Sequence, residues 1–317
     1  MSAGSAQTDK VQYGSSLFPP GGNLIAFNET LFMRKKLFTS LMACMYLPIM
    51  VFAQTVQSDT AGHYQLKWAD EFNKEGAPDS TNWKYEHGFT RNNELQWYQP
   101  QNAECHNGIL TIEVKKEHLP NPNYAAGSNS WKTNREFIDY SSSSMNTRGQ
   151  HTWQYGRFIM RARIDVDGGL WPAFWTLGES KPWPSNGEID IMEFYRNKLL
   201  ANIACGTATR SKAKWYSNTK PLDSLGAGWS QKFHIWRMDW DENAISLFVD
   251  DQLLNRVALK DLVNQDGSNF NPFMQPHYIL LNLALGGDNG GDPSATQFPR
   301  KFEVDYVRVY QKTNSPQ

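Results

Sequence analysis

The chain has 317 residues, with 31 Lys and Arg against 32 Asp and Glu and a formal charge of -1. There is no basic stretch beyond Arg34-Lys35-Lys36, so it lacks the electrostatic footprint of a nucleic-acid binder. The length suits one large β domain or two small ones. The twelve Trp and thirteen Tyr would serve a large sandwich core or a groove on which sugar rings stack.

In chain order, residues 1–32 carry no clear pattern and read as an upstream extension outside the fold, or else as an ordered arm. Met33-Arg34-Lys35-Lys36 followed by the apolar run Leu37 to Ala53 has the form of a secretory signal over 33–53, with Val51-Phe52-Ala53 before Gln54 as the cleavage site. Thr39, Ser40 and Pro48 interrupt that run and make it a poor membrane span. Leu41-Met42-Ala43-Cys44 resembles a lipoprotein cleavage box, but the apolar run continues past Cys44, so cleavage after Ala53 is favoured. Either route exports the protein, to the periplasm, the cell surface or the medium. Cys105 and Cys205 then remain. An exported pair could form a disulfide, but two separate buried thiols are expected. No CxxC or HExxH pattern supports zinc chemistry.

Residues 54–63 read as a polar linker. From Tyr64 onward, short alternating or apolar runs recur: Ile109–Val114, Gly156–Ile164, Ala244–Val249 and Tyr278–Leu283. Turn signals separate them: Asn107-Gly108, Asp167-Gly168-Gly169, Asp250-Asp251 and Gly286 to Gly291. Residues 118–136, rich in Asn, Pro, Gly and Ser, predict a long surface loop able to wall a cleft. Long helical periodicity is absent, with a short helix expected within Ala258 to Val263. The pattern predicts an all-β sandwich in one domain.

One strand stands out. Gly187-Glu188-Ile189-Asp190-Ile191-Met192-Glu193-Phe194 sets three carboxylates among residues that want burial. Glu188 and Asp190 share a face, whereas Glu193 is five from Glu188 and falls on the other. A β-bulge near Ile191-Met192 would restore it. Two glutamates then project together and could bring their carboxyls within ~5–6 Å, the separation used by retaining glycosidases. Crowded like charges keep one of them protonated, and Asp190 can hold the other in place. On the acids alone, a cation site or a solvated acidic edge stays open. Trp171 and Trp175, four apart on the preceding strand, face the same way and suit either core or cleft.

Glu-Ile-Asp-Ile-Met-Glu resembles the bulged ExDxxE signature of glycoside hydrolase family 16. The segments Gly169 to Gly178, Trp183-Pro184-Ser185-Asn186-Gly187, Asn92 to Tyr98, Tyr155-Gly156-Arg157 and Phe298-Pro299 through Tyr310 are similar to its bacterial laminarinase branch. The resemblance covers residues 64–312 in order, leaving 313–317 as a tail. It implies a jelly-roll (concanavalin A-like) sandwich with a concave substrate cleft. Glu188 would be the nucleophile, Asp190 its assisting acid and Glu193 the acid/base. It turns Trp171 and Trp175 toward the cleft, with Trp171 as the stacking platform, and gives Asn92 and Asn93 to sugar binding on the non-reducing side. Arg148 and Trp215 are further candidates for which surface and packing roles stay open. It also implies a structural calcium held by Glu71, the Gly108 carbonyl and Asp305, away from a reaction that needs no cofactor. Oxygen ligands suit that ion. His234 and His277 are left as structural residues.

Two departures bear on linkage. Many laminarinases carry His-Gly-Thr-Leu-His where this chain has Cys205-Gly206-Thr207-Ala208-Thr209, and Gly-Arg where Ser143-Ser144 stands. The expectation is an exported, monomeric, retaining endo-hydrolase of β-1,3- or mixed β-1,3/1,4-glucan. The alternatives are the same mechanism on agar, porphyran or carrageenan, and a non-catalytic glucan-binding sandwich. The glycosyl-enzyme can also react with a sugar in place of water, so transglycosylation stays open.

Overall fold

In the computed structural model, residues 64–313 are described. The expected extension 1–32, the signal 33–53 with Cys44, and the linker 54–63 lie outside them. The strands in chain order are β1 (Tyr64–Asp70), β2 (Lys84–Tyr85), β3 (Gln96–Tyr98), β4 (Ala103–His106), β5 (Ile109–Pro120) and β6 (Phe137–Ser142). They continue with β7 (Ser144–Asn146), β8 (Gly156–Ile164), β9 (Leu170–Gly178), β10 (Glu188–Tyr195), β11 (Lys198–Gly206) and β12 (Ala213–Pro221). The last are β13 (His234–Trp240), β14 (Ala244–Val249), β15 (Gln252–Ala258), β16 (His277–Leu285) and β17 (Arg300–Lys312). The helix expected within 258–263 is a single 3-10 turn, Leu259–Asp261.

Two sheets pack face to face as a jelly-roll sandwich. One runs β15-β14-β13-β8-β17-β5-β6-β3, with β1 on β17 and β4 on β5. The other runs β12-β11-β10-β9-β16-β7-β2. Neighbours far apart in sequence, such as β9 with β16 and β8 with β17, are the crossovers of such a roll. The core lies between the sheets. β10 sends Ile189, Ile191, Met192 and Phe194 into it, and β11 sends Leu199, Ala201, Ile203 and Cys205. Each fully buried large side chain among them contributes roughly 1.5–3 kcal/mol relative to exposure. Cys105 and Cys205 are separate buried thiols, as expected.

Two-residue turns with positive φ join the hairpins, the form that matches strand twist. Asn107-Gly108 (52° and 75°) links β4 to β5, and Asp250-Asp251 (46° and 63°) links β14 to β15. Arg196-Asn197 (47° and 60°) does the same between β10 and β11. The predicted 118–136 loop begins only after β5 ends at Pro120. It backs the cleft wall instead of lining it: Arg135 donates to the carbonyls of Asn93 and Glu94 and lies over the Phe89 and Trp131 rings.

Candidate active site

The seven-stranded sheet presents its outer face to a cleft of about 740 Å³. Strand alternation sets its floor. β9 turns Trp171, Ala173, Trp175 and Leu177 outward while Leu170 and Phe174 enter the core. β10 turns out Glu188 and Asp190, and then Glu193 and Tyr195. The expected bulge is present. Toward β9, Asp190 pairs with Trp175 and Met192 with Phe174, so Ile191 is skipped. Toward β11, Asp190 pairs with Asn202 and Glu193 with Leu200, so Ile191 and Met192 together oppose Ala201. Both bulge residues point into the core, and all three acids reach the cleft. Gly187, at φ 79°, starts the strand where a Cβ would sit 2.8 Å from Pro272; only glycine takes that turn without strain.

Each glutamate has its own donors. Glu193 Oε1 accepts from the Trp171 indole at 2.6 Å, and Oε2 from Asn202 Nδ2 at 2.8 Å. Glu188 Oε2 accepts from the indole of Trp183, a half-exposed residue on the loop before β10. Burial pushes the Glu193 carboxyl up to about 8, with Glu188's charge adding to the rise and the Trp171 and Asn202 donors opposing it. Burial also raises Glu188, opposed by the Trp183 and Asp190 hydrogen bonds and the charge of Arg91. Asp190 is raised well above the usual carboxylate range by burial and by the charges of both glutamates. The hydrogen bond between the two side chains raises Asp190 and lowers Glu188, so Asp190 is the donor of that pair.

The structure divides the other expected site residues. Asn92 lines the cleft, where its carbonyl accepts from Asp288 N at 2.8 Å. Asn93 turns aside to Asp288 Oδ1 at 2.9 Å. Trp215, exposed on β12, lines the cleft. Trp175 does too, with its indole on Asn282 Oδ1 at 2.7 Å. Trp171 is in the cleft but is only 7 % exposed with its N–H on Glu193, so its visible work is to orient that carboxyl. Arg148 is not among the cleft-lining residues and lies 5.5 Å over the Tyr278 ring. His277 is buried between Thr176 and the Pro272 carbonyl, and His234 pairs with Asp250 and the Trp229 carbonyl. Both are structural, as expected.

The side chains expected to hold calcium are occupied otherwise. Glu71 accepts from Arg308 at 2.7 and 2.8 Å, and Asp305 is paired with Arg161. Among the described residues, no group of three His, Cys, Asp or Glu is disposed around a common point. As arranged, these two carboxylates serve arginines and do not fit a cation.

Arg91, Trp183, Asn202 and Asn282 are among the cleft residues not singled out in the sequence. Asn202 had a readable signal, since it opposes Asp190 once the hairpin register is known. Trp183 sits in the quoted Trp-Pro-Ser-Asn-Gly segment. The Ser143-Ser144 departure ends at this corner as well. Ser144 Oγ donates to Glu86 at 2.5 Å, the carboxylate that grips Arg91.

Comparison with known proteins agrees with this geometry. The family model for glycosyl hydrolases family 16 matches residues 89–308. A beta-glucanase of Rhodothermus marinus is 35% identical over 271 residues, covering 80% of this chain and 87% of that protein. The structure of a laminarinase from Rhodothermus marinus superposes with a TM-score of 0.65 at 32% identity, covering 80% of this chain and 100% of the other. A structure described in connection with endo-acting O-glycanases of the human gut microbiota that initiate mucin breakdown gives 0.72 at 33% identity, covering 80% and 92%. With its acidic strand, its cleft and these relatives together, the chain belongs to glycosyl hydrolases family 16 and is a glycoside hydrolase.

Proposed function

We propose that the protein is an endo-acting, retaining hydrolase of β-1,3- or mixed β-1,3/1,4-glucan. The observation that carries the reading is the unequal state of two glutamates on one cleft face. Glu193 holds its proton to about pH 8, while Glu188 receives hydrogen bonds from Trp183 and Asp190 that favour its charge. Glycoside hydrolysis by a pair of carboxyls needs that inequality. Glu188 attacks the anomeric carbon as Glu193 protonates the leaving oxygen. A covalent glycosyl-enzyme forms, and Glu193, now a carboxylate, takes a proton from the water that releases the sugar. Asp190 steadies Glu188, Trp171 and Asn202 aim Glu193, and Trp215 and Trp183 offer exposed rings for sugar faces.

The deciding experiment is a panel of laminarin, mixed-linkage glucan, agarose, porphyran and carrageenan, with product sizing and NMR of the first-formed anomer. Internal cuts in a glucan with retained configuration are expected. Inversion would overturn the mechanism, and hydrolysis of galactans alone would overturn the substrate. A β-galactoside chain is the second reading. It is favoured by the departing Cys205–Thr209 segment.

Trp171→Phe tests the acid directly. Its indole opposes the rise of Glu193, so its loss raises that carboxyl further. The alkaline limb of kcat/KM is expected to move above that of the native enzyme, and kcat to fall about tenfold as one orienting hydrogen bond is lost. An unmoved limb would take the acid role away from Glu193.

A further inference from the structure

We propose that Arg91 is the specificity-determining residue of this cleft, gripping the hydroxyls of an uncharged sugar ring beside Glu188 in a groove that rejects sulfated or uronic chains. The proposal rests on the reading of Glu188 as nucleophile.

The guanidinium is fixed before any sugar arrives. Nη2 is held by both oxygens of Glu86. The Glu86 carboxylate is itself held by Ser144 Oγ. The guanidinium carbon lies 5.2 Å from the Trp175 ring centroid and 6.0 Å from that of Tyr98. A planar group clamped at one corner and resting on an aromatic ring loses little entropy on binding. Among the described residues, Nε and Nη1 have no protein hydrogen-bond partner, although Arg91 lines the cleft with Trp175 and Glu188. Those N–H groups are donors in search of acceptors, and two vicinal sugar hydroxyls match their spacing.

Charge decides which sugar. Arg91 is the one cationic side chain among the described cleft-lining residues, against Glu94, Glu188 and Asp288, with Asp190 and the proton-holding Glu193 left out of the charge count. Its own charge is already paired with Glu86. An incoming sulfate would meet several carboxyl groups and no spare cation, whereas neutral hydroxyls accept from Arg91 at no electrostatic cost. Burial works against the Arg91 charge, but Glu86, Tyr98 and Glu94 hold its pKa above the ordinary value, so it stays protonated throughout.

Arg91 also acts on Glu188. The groups around that carboxyl are Asp190 and Glu193 on its own strand, Trp183 from the preceding loop, Tyr278 from β16 and Arg91 from the segment before β3. Glu86, Glu94 and Tyr98 face Arg91. Arg91 is the cation in this set, so its loss raises Glu188 and moves the acid limb of kcat/KM to higher pH.

The test separates binding from turnover. Glu188→Gln, with and without Arg91→Met, is run by affinity electrophoresis through gels holding laminarin, mixed-linkage glucan, agarose or carrageenan. Retardation by an uncharged polymer and none by carrageenan is expected, with Arg91→Met weakening it roughly tenfold or more and Arg91→Lys recovering part of it. Equal retardation with and without Arg91→Met, stronger retardation by carrageenan, or none by any uncharged polymer overturns the proposal. In the chain with Glu188 intact, Arg91→Met should raise KM and shift the acid limb to higher pH, while Arg91→Lys leaves the limb near its native place. A residue that merely packs the loop would lower the melting temperature and leave the limb unmoved. If Arg91→Met does not fold, Arg91→Lys with Glu86→Gln decides. Loss of the clamp should weaken neutral binding and admit carrageenan, and no change in either overturns the proposal. Failure of the nucleophile reading shows separately, as hydrolysis that survives Glu188→Gln.

Discussion

Glu188→Gln and Glu193→Gln are each expected to cut kcat on the polymer by at least about 10³, because one removes the nucleophile and the other the proton donor. Both variants should fold. Glutamine keeps the shape of glutamate, and Asn202 Oδ1 has no hydrogen-bond partner, so the Asn202 amide can turn over to match the amide that replaces the Glu193 carboxyl. The two losses differ in kind. With an aryl glycoside whose leaving group needs no acid, Glu193→Gln should still form the glycosyl-enzyme, stall there, and be rescued by azide with retained configuration. Glu188→Gln should show no such rescue. Stability gives an independent reading. The folded Glu193 pKa of about 8 lies above its ordinary value of 4.5. Between those two pH values the folded chain keeps a proton that the unfolded chain has lost, so this group's contribution to stability declines as pH rises across that window. Glu193→Gln removes the penalty. Its stability, read from thermal melts, should exceed the native one increasingly from about pH 5 to about pH 8, by several kcal/mol at the upper end. Near-normal hydrolysis by either variant sinks the assignment, and a stability gain independent of pH removes the explanation from burial.

The sandwich was legible because each side of a strand meets a different solvent. Gly156–Ile164 alternates strictly between buried and half-exposed residues, and that period is visible in its letters. β16 is buried along its whole length, because one face meets the core and the other lies under the cleft floor. Its apolar run, Tyr278–Leu283, was recognisable as a strand but said nothing about which face bears the site. Turns were legible where the residue types demand positive φ, as at Asn107-Gly108. Arg196-Asn197 adopts the same geometry with an arginine in the first position, so composition alone passed it over.

At the site, the three acids were readable because charged residues inside an apolar strand require an explanation. Side-chain partners were less so. Trp171 reads as a stacking platform, yet its ring is buried and its N–H serves Glu193; spacing fixes the face of a residue, not the depth to which neighbours cover it. Arg148 and Arg91 show the same limit in opposite directions. Arg148 follows β7 and lies over Tyr278 outside the cleft lining, while Arg91, one residue before Asn92, ends over Trp175. Such placements depend on how a loop folds back across a sheet, and local sequence does not encode them. The calcium expectation is the counterpart on the other sheet. Glu71 and Asp305 have the right chemistry, but β17 and β8 bring Arg308 and Arg161 to these carboxylates.

The bulge supplies the sharpest test of the geometry. Strand alternation predicts opposite outcomes for two changes at one point. Deleting Ile191 leaves Asp190, Met192 and Glu193 consecutive. Glu193 then stands four from Glu188 in an unbulged strand, again on the cleft face, while Met192 fills the inward slot. The deletion sacrifices one fully buried isoleucine and is expected to cost roughly 2–4 kcal/mol of stability. Hydrolysis should be reduced yet measurable, and the alkaline limb should persist. Inserting one alanine between Met192 and Glu193 does the reverse. With the bulge kept, the extra residue sends Glu193 inward beside Phe174 and turns Phe194 out, and an uncompensated carboxylate in that place costs several kcal/mol. That chain should lose activity by at least about 10³ and melt well below the deletion variant. An insertion that keeps activity would mean that the bulge is lost, since six residues apart in a regular strand Glu193 and Glu188 share a face. A deletion that abolishes activity in a folded chain would mean that the bulge sets the glutamate separation and does more than choose the face. Kinetics and thermal melts on the two variants tell these apart, because the face argument requires the deletion to outperform the insertion on both counts.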